Sequence, residues 1–98
     1  MLADMKTNIE ASRMLTWKSA ADADAGLKNT ESAAHAKRFA ADTAMQDSTD
    51  AVQVYGGYGY SEEYPVARLM RAAKVMQIYE GSSQVQRMII GREITKNL

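Results

Sequence analysis

Glu31 to Tyr55 reads E-S-A-A-H-A-K-R-F-A-A-D-T-A-M-Q-D-S-T-D-A-V-Q-V-Y, a long run with neither proline nor glycine. Ala33, Ala36, Ala40 and Ala44 recur at intervals of three and four, the spacing of one helical face. They form a smooth ridge that a second helix can approach closely, and Phe39, Met45 and Val52 add bulk beside it. The stretch predicts one long helix and, with it, an all-α chain. His35 has no second histidine to work with, so it reads as surface or packing rather than as a ligand or base.

Upstream, Leu2 to Ala25 also lacks proline and glycine, and Leu2, Met5 and Ile9 begin an apolar stripe at helical spacing. Gly26 is placed to end that helix as its C′ residue. Arg13, Lys18, Asp22 and Asp24 form the solvated side, and Trp17 is assigned to the core. Lys28-Asn29-Thr30 is then a short turn, with Thr30 as the N-cap of the central helix and Glu31 beside the positive end of its dipole.

Downstream, Gly56-Gly57-Tyr58-Gly59-Tyr60 predicts a loop lasting to Tyr64, where glycine permits positive φ and close approach. It lacks the lysine and spacing of a phosphate-cradling loop, and no strand precedes it. A C-cap followed by an aromatic-packed turn accounts for it equally well. Pro65 suits the first position of a short helix to about Val75, with Leu69 and Met70 inward and Arg68, Arg71 and Lys74 solvated. A last helix runs from about Ser83 to Lys96. Val85, Met88 and Ile89 mark one apolar stripe, and Ile90, Ile94 and Leu98 a second. A helix apolar on two sides is buried on two sides, so one side is expected to meet another subunit or a further part of the protein.

The connection into that helix, Tyr79 to Arg87, reads Y-E-G-S-S-Q-V-Q-R. Ser83 and Gln86 have the S-x-x-Q spacing of a capping box, which places Glu80 just ahead of a helix N-terminus. Unpaired N–H groups near Gly81 to Ser83, with the positive dipole end, suit an anionic or electron-rich ligand. A capping motif alone implies no chemistry.

The chain has 98 residues, enough for one domain that buries only a modest fraction of its surface alone. Twelve basic and twelve acidic residues cancel, leaving no electrostatic footprint for nucleic acid or an anionic membrane. Cysteine is absent, which excludes a disulfide scaffold and a thiolate metal site. Seven methionines suggest adaptable core packing. No signal peptide or membrane span is evident. The expectation is a soluble domain of the cytoplasm, or of the mitochondrial matrix in a eukaryote.

Asp50 to Glu93 contains G-G-Y-G-Y, E-Y-P-V, L-M-R-A-A-K and Y-E-G-S-S-Q-V-Q-R in order. In those blocks and their spacing the run resembles the C-terminal helical domain of the acyl-CoA dehydrogenases. The opening L-A-D-M and the middle A-K-R-F-A fit as well, so the resemblance spans essentially the whole chain. It covers only a fraction of the family's usual length.

The resemblance implies most of an up-and-down four-helix bundle lacking its first helix, as a partial domain over residues 1–98. It implies an FAD-dependent oxidation of acyl-CoA to trans-2-enoyl-CoA, with Glu80 as the base that takes the α-proton and the flavin as hydride acceptor. Gly81 matches a contact to the thioester end of the substrate, and Tyr79 lines the acyl pocket. Ser82, Ser83 and Gln84 match the flavin-contacting stretch. Gln53, Val54, Tyr55, Gly56 and Gly57 match the segment that reaches the ADP part of FAD in a neighbouring subunit, which implies a homo-oligomer, a dimer or tetramer. An electron-transfer flavoprotein is the implied electron acceptor. A base at Glu80 suits the short-, medium- or short-branched-chain groups.

The sequence departs from the family at Ala72, where an aspartate is usual. The N-terminal helical and middle β-domains, which hold most of the flavin and substrate, have no counterpart in these residues, so the isolated chain is expected to be inactive. Two other readings stand beside this one: a stand-alone helical interaction module without catalysis, and an acyl-CoA oxidase-like flavoenzyme on the same fold.

Overall fold

The computed structural model describes residues 1–96, and in these it contains five helices and no strand. They are α1 (Leu2–Asp24), α2 (Thr30–Tyr55), α3 (Gly57–Tyr60), α4 (Pro65–Met76) and α5 (Ser83–Thr95). Every other helix packs on α2. The molecule is a rod of 50 × 22 × 21 Å, about as long as its central helix plus the turns at either end.

Helix α1 ends where the sequence predicts. Gly26 adopts φ +74, its N–H reaches Ala23 O, and the N–H of Leu27 reaches Asp22 O at 2.9 Å. This is the paired closure of a Schellman turn, and it returns the chain antiparallel along α1. Thr30 is not the N-cap of α2 as expected. It is the first helical residue, and Asn29 occupies the cap without capping by its side chain. The Asn29 amide is drawn instead to Ser19, contacting its carbonyl and hydroxyl at 3.4 Å.

Beyond α2 the glycine run is not a plain loop. Gly56 at φ +65 turns the chain, and Gly57–Tyr60 closes into the short α3, packed back on the end of α2. The expected aromatic packing is there: the Tyr64 ring meets Tyr58 at 5.7 Å and Tyr55 edge-on at 6.0 Å. Pro65 is the first residue of α4, where its missing N–H costs nothing.

Helices α4 and α5 both run antiparallel to α2, one after the other. The start of α4 lies by the end of α2. Its C-terminal Gln77 reaches Asp42 at the middle of α2, α5 begins at the same Asp42, and Glu93 near its end pairs with Lys28 at 3.7 Å. The third leg of this up-down-up arrangement is therefore broken in the middle, and residues 77–82 are the break.

The core is small and alanine-rich: Ala34, Ala36, Ala41, Val66, Ala67 and Ala73 are buried, and among the described residues no large side chain is fully so. Several apolar residues expected inside are outside. Trp17 is 60% and Leu69 55% exposed, and α4 buries Val66, Ala67 and Ala73 in their place. Leu2 and Ile9 of the first stripe are exposed, as are Val85, Met88 and Ile94 of α5; Leu98 lies outside the described residues. The reason is topological. The longer flanking helices α1, α4 and α5 touch α2 but not one another, and only the short α3 bridges to α4, so most of the outward surface of each has no helix to pack against. Ala33, Ala36, Ala40 and Ala44, the predicted ridge, floor an open apolar groove of about 650 Å³ walled by α1, Met76 and Tyr79.

Candidate functional site

The break between α4 and α5 gathers most of the predicted site residues. Val75 O accepts the N–H of Tyr79, and Ser83 N–H closes the loop by donating to Gln77 O at 3.0 Å. Between those ties stand Glu80 at φ +54 and Gly81 at φ +88. Glu80 is the one non-glycine residue with positive φ among the described residues. An L-residue reaches that region at a cost of about 1–2 kcal/mol, and such conformations persist only where the surroundings over-determine them.

The surroundings do so from both ends. On the α5 side Ser82, not Ser83, is the N-cap: its Oγ accepts the N–H of Val85 at 3.2 Å. The Gln86 amide reaches back, as the box pattern predicts, but donates to Gly81 O at 3.2 Å. Ser83 is only 3% exposed, and its hydroxyl donates across the molecule to Asp42 Oδ1 at 2.8 Å. On the α4 side Gln77 Nε2 donates to the same oxygen at 2.8 Å, while Lys37 donates to Met76 O and sits 5.6 Å over the Tyr79 ring. The Tyr79 hydroxyl in turn donates to Met76 Sδ.

Asp42 also takes Arg87 at 2.7 Å on its second oxygen, with Arg38 at 3.7 Å beyond. Burial works to raise the Asp42 carboxyl, but the hydrogen bonds from Gln77, Ser83 and Arg87 outweigh it and hold the group below the usual carboxylate range. Nothing in the local sequence marks Asp42, one polar residue among several on α2.

Glu80 itself is exposed and has neither a hydrogen bond nor an ion pair among the described residues. Tyr79 and Gln84 are exposed, and Gly81 and Ser82 half-buried. Ser82, Ser83, Gln84, Lys74, Ile78 and Asp42 line a polar cleft of about 450 Å³. The other predicted cluster is elsewhere. Gln53, Val54, Tyr55, Gly56 and Gly57 are all exposed at the far end of α2, at least eleven residues beyond Asp42 and so roughly 16 Å or more along the axis. The chain does not bring the two groups to one spot.

Residues 1–95 match the family described as acyl-CoA dehydrogenase, C-terminal domain. The chain belongs to the acyl-CoA dehydrogenase family. Cyclohexane-1-carbonyl-CoA dehydrogenase of Geobacter metallireducens is 53% identical over 98% of the chain, which spans 25% of that protein. The structure of butyryl-CoA dehydrogenase from Megasphaera elsdenii superposes with a TM-score of 0.93 at 56% identity, over 96% of this chain and 24% of that one. The FAD complex of PigA matches at 0.92 and 25% identity, over 98% of this chain and 25% of its own. The chain thus spans about a quarter of the length of the relatives it matches. No described helix is long and apolar enough to cross a membrane.

Proposed function

We propose that Glu80 is the base that removes the α-proton of an acyl-CoA in an FAD-dependent dehydrogenase, to which this chain contributes the C-terminal helical part. One observation carries the reading. The carboxylate is exposed and unpaired, on a backbone held in the left-handed region by contacts at both ends of its loop. Other carboxylates of the chain lack partners too, but among the described residues this one alone combines a free carboxylate with a fixed left-handed backbone. A weak base held at contact distance is effective against an acidified α-proton.

The steps balance on the substrate. The α C–H bond breaks with its proton going to the Glu80 carboxylate, the β C–H electron pair departs as hydride, and Cα and Cβ are left joined by a trans double bond. A bound flavin supplies the acceptor for that hydride. The N–H groups of Glu80, Gly81 and Ser82 have no hydrogen-bond partner among the described residues, so they are available to the thioester oxygen, where charge grows as the proton leaves. The chain's groups fit a flavin beside this loop. Ser82 and Gln84 edge the polar cleft, whereas both donors of Ser83 are spent internally, which leaves the facing role to its two neighbours. The substrate reading, a short-chain or alicyclic acyl-CoA, rests on the names of the Megasphaera and Geobacter relatives. Electron-transfer flavoprotein is the acceptor in this reading.

In the full-length holoenzyme, Glu80→Gln keeps size and removes the base. Flavin reduction by substrate should slow by about 10²–10⁴-fold, along with exchange of the α-hydrogen with solvent deuterium. Reduction at the original rate would end the proposal.

Gln53 to Gly57 stands apart from Glu80, at the far end of α2. Its proposed role is contact with FAD held by another copy, which makes the enzyme a homo-oligomer. Alone, the chain is inactive, and its open groove and exposed Trp17, Met88 and Ile94 drive self-association. Light scattering across a dilution series should show assemblies larger than the 10.8 kDa chain. A well-folded monomer at all concentrations would contradict this.

A further inference from the structure

We propose that Asp42 is a positioning residue for the base: its carboxylate holds the two ends of the Glu80 loop together and so fixes where the Glu80 carboxylate stands. The inference rests on the reading of Glu80 as the base. The geometry is specific. One oxygen, Oδ1, accepts from Gln77 before the loop and from Ser83 after it, both at 2.8 Å. The other, Oδ2, accepts from Arg87 one turn into α5 at 2.7 Å. The Asp42 side chain is thus the common point on which the end of α4 and the start of α5 meet, although the two helices do not pack on each other.

Without that point, among the described residues only the Ser83 N–H to Gln77 O bond spans the loop, and Glu80 is free to leave its left-handed conformation for the commoner regions. A strained backbone is retained where independent contacts over-determine it, and the Asp42 ties supply them from outside the loop. Ionised donors and acceptors make the stronger hydrogen bonds, which explains a carboxylate here rather than an amide. Arg87 and Arg38 balance its charge, so the clamp places no uncompensated negative group beneath the base.

The test uses the full-length holoenzyme with three variants, Asp42→Ala, Asp42→Asn and the double variant Gln77→Ala/Ser83→Ala, alongside Glu80→Gln. A displacement of about 1 Å at a reacting group costs on the order of 10²-fold. Asp42→Ala is therefore expected to lower kcat by about 10–100-fold, with KM and flavin content near the parent values. Asp42→Asn keeps an acceptor at Oδ1 and should fall between. The decisive readout is isotopic. Deuterium at the substrate α-carbon should give a larger rate effect in Asp42→Ala than in the parent, because proton removal has become the slow step, while the effect of β-deuterium does not grow. A role confined to folding would leave both isotope effects unchanged.

Parent kcat and isotope effects in folded Asp42→Ala overturn the proposal. If Asp42→Ala does not yield holoenzyme, the double variant decides by the same isotope readout, and parent behaviour there overturns it equally. Glu80→Gln separates the two levels. Its full activity would remove the base reading itself, whereas its inactivity beside an unaffected Asp42→Ala removes only the clamp.

Discussion

A Cβ placed on Gly81 would lie 2.5 Å from Gln86 Nε2, the atom that donates to Gly81 O. Gly81 also sits at φ +88, so Gly81→Ala meets two penalties. The left-handed backbone costs about 1–2 kcal/mol for an L-residue. The Gln86 amide is the end of a flexible side chain and swings away cheaply, but Gly81 O then loses its partner, for about 1 kcal/mol. Backbone strain is the larger share. Chemical denaturation should show Gly81→Ala destabilised by about 2–3 kcal/mol. Gln86→Ala should cost less in that background than in the parent, because the bond it removes is already broken. Equal costs in both backgrounds would disprove the displacement of Gln86.

Gly59 is required for a different reason. It is buried with ordinary φ, and an added Cβ would meet Val52 O at 2.4 Å and Tyr55 Cβ at 2.8 Å. These atoms belong to or adjoin the α2 backbone and cannot move aside as Gln86 does. Gly59→Ala should therefore lift α3 from α2 and cost about 1–3 kcal/mol, the usual range for overpacking. Gly57 two residues earlier has nothing within 4 Å of such a Cβ, and Gly57→Ala should be neutral or slightly stabilising through helix propensity. Thermal melts of the pair make the comparison, and equal losses would refute the steric account.

The contrast between these glycines shows what the sequence could and could not reveal. Glycine content marked a special backbone after Tyr55, but it did not say that Gly59 fails by contact and Gly81 by φ. Signals carried by neighbouring residues were legible: the Gly26 closure, Pro65 at the head of α4, and a capped start to α5 behind Glu80. Signals set by distant residues were not. Ser82 and Ser83 are equivalent as local caps, and the choice between them is made by Asp42, which takes the Ser83 hydroxyl from 41 positions away. Trp17 and Leu69 were misplaced for the same reason. Periodicity identifies an apolar face, but whether it is covered depends on which helices touch.

The two shifted carboxylates of α2 predict a two-phase response to acid. Asp42 has its pKa lowered on folding, so its ionised form stabilises the fold above the unfolded value of about 3.9. That stability is lost as pH falls through the lower folded pKa. Asp47 goes the other way. Burial raises it, Asn8 opposes, and Asp50 adds to the rise; its oxygens are shielded from water without a sound hydrogen bond among the described residues. A raised folded pKa means that ionised Asp47 weakens the fold at neutral pH, and stability is regained as pH falls through that value towards about 3.9. Melting temperature followed from pH 7 downwards should thus hold or rise slightly before it falls. Asp47→Asn should abolish the early gain. Asp42→Asn should start lower at neutral pH and lose less below about pH 4, so that its curve approaches the parent's in acid. Parallel curves for parent and Asp42→Asn across the whole range would mean that Asp42 gains nothing from being ionised.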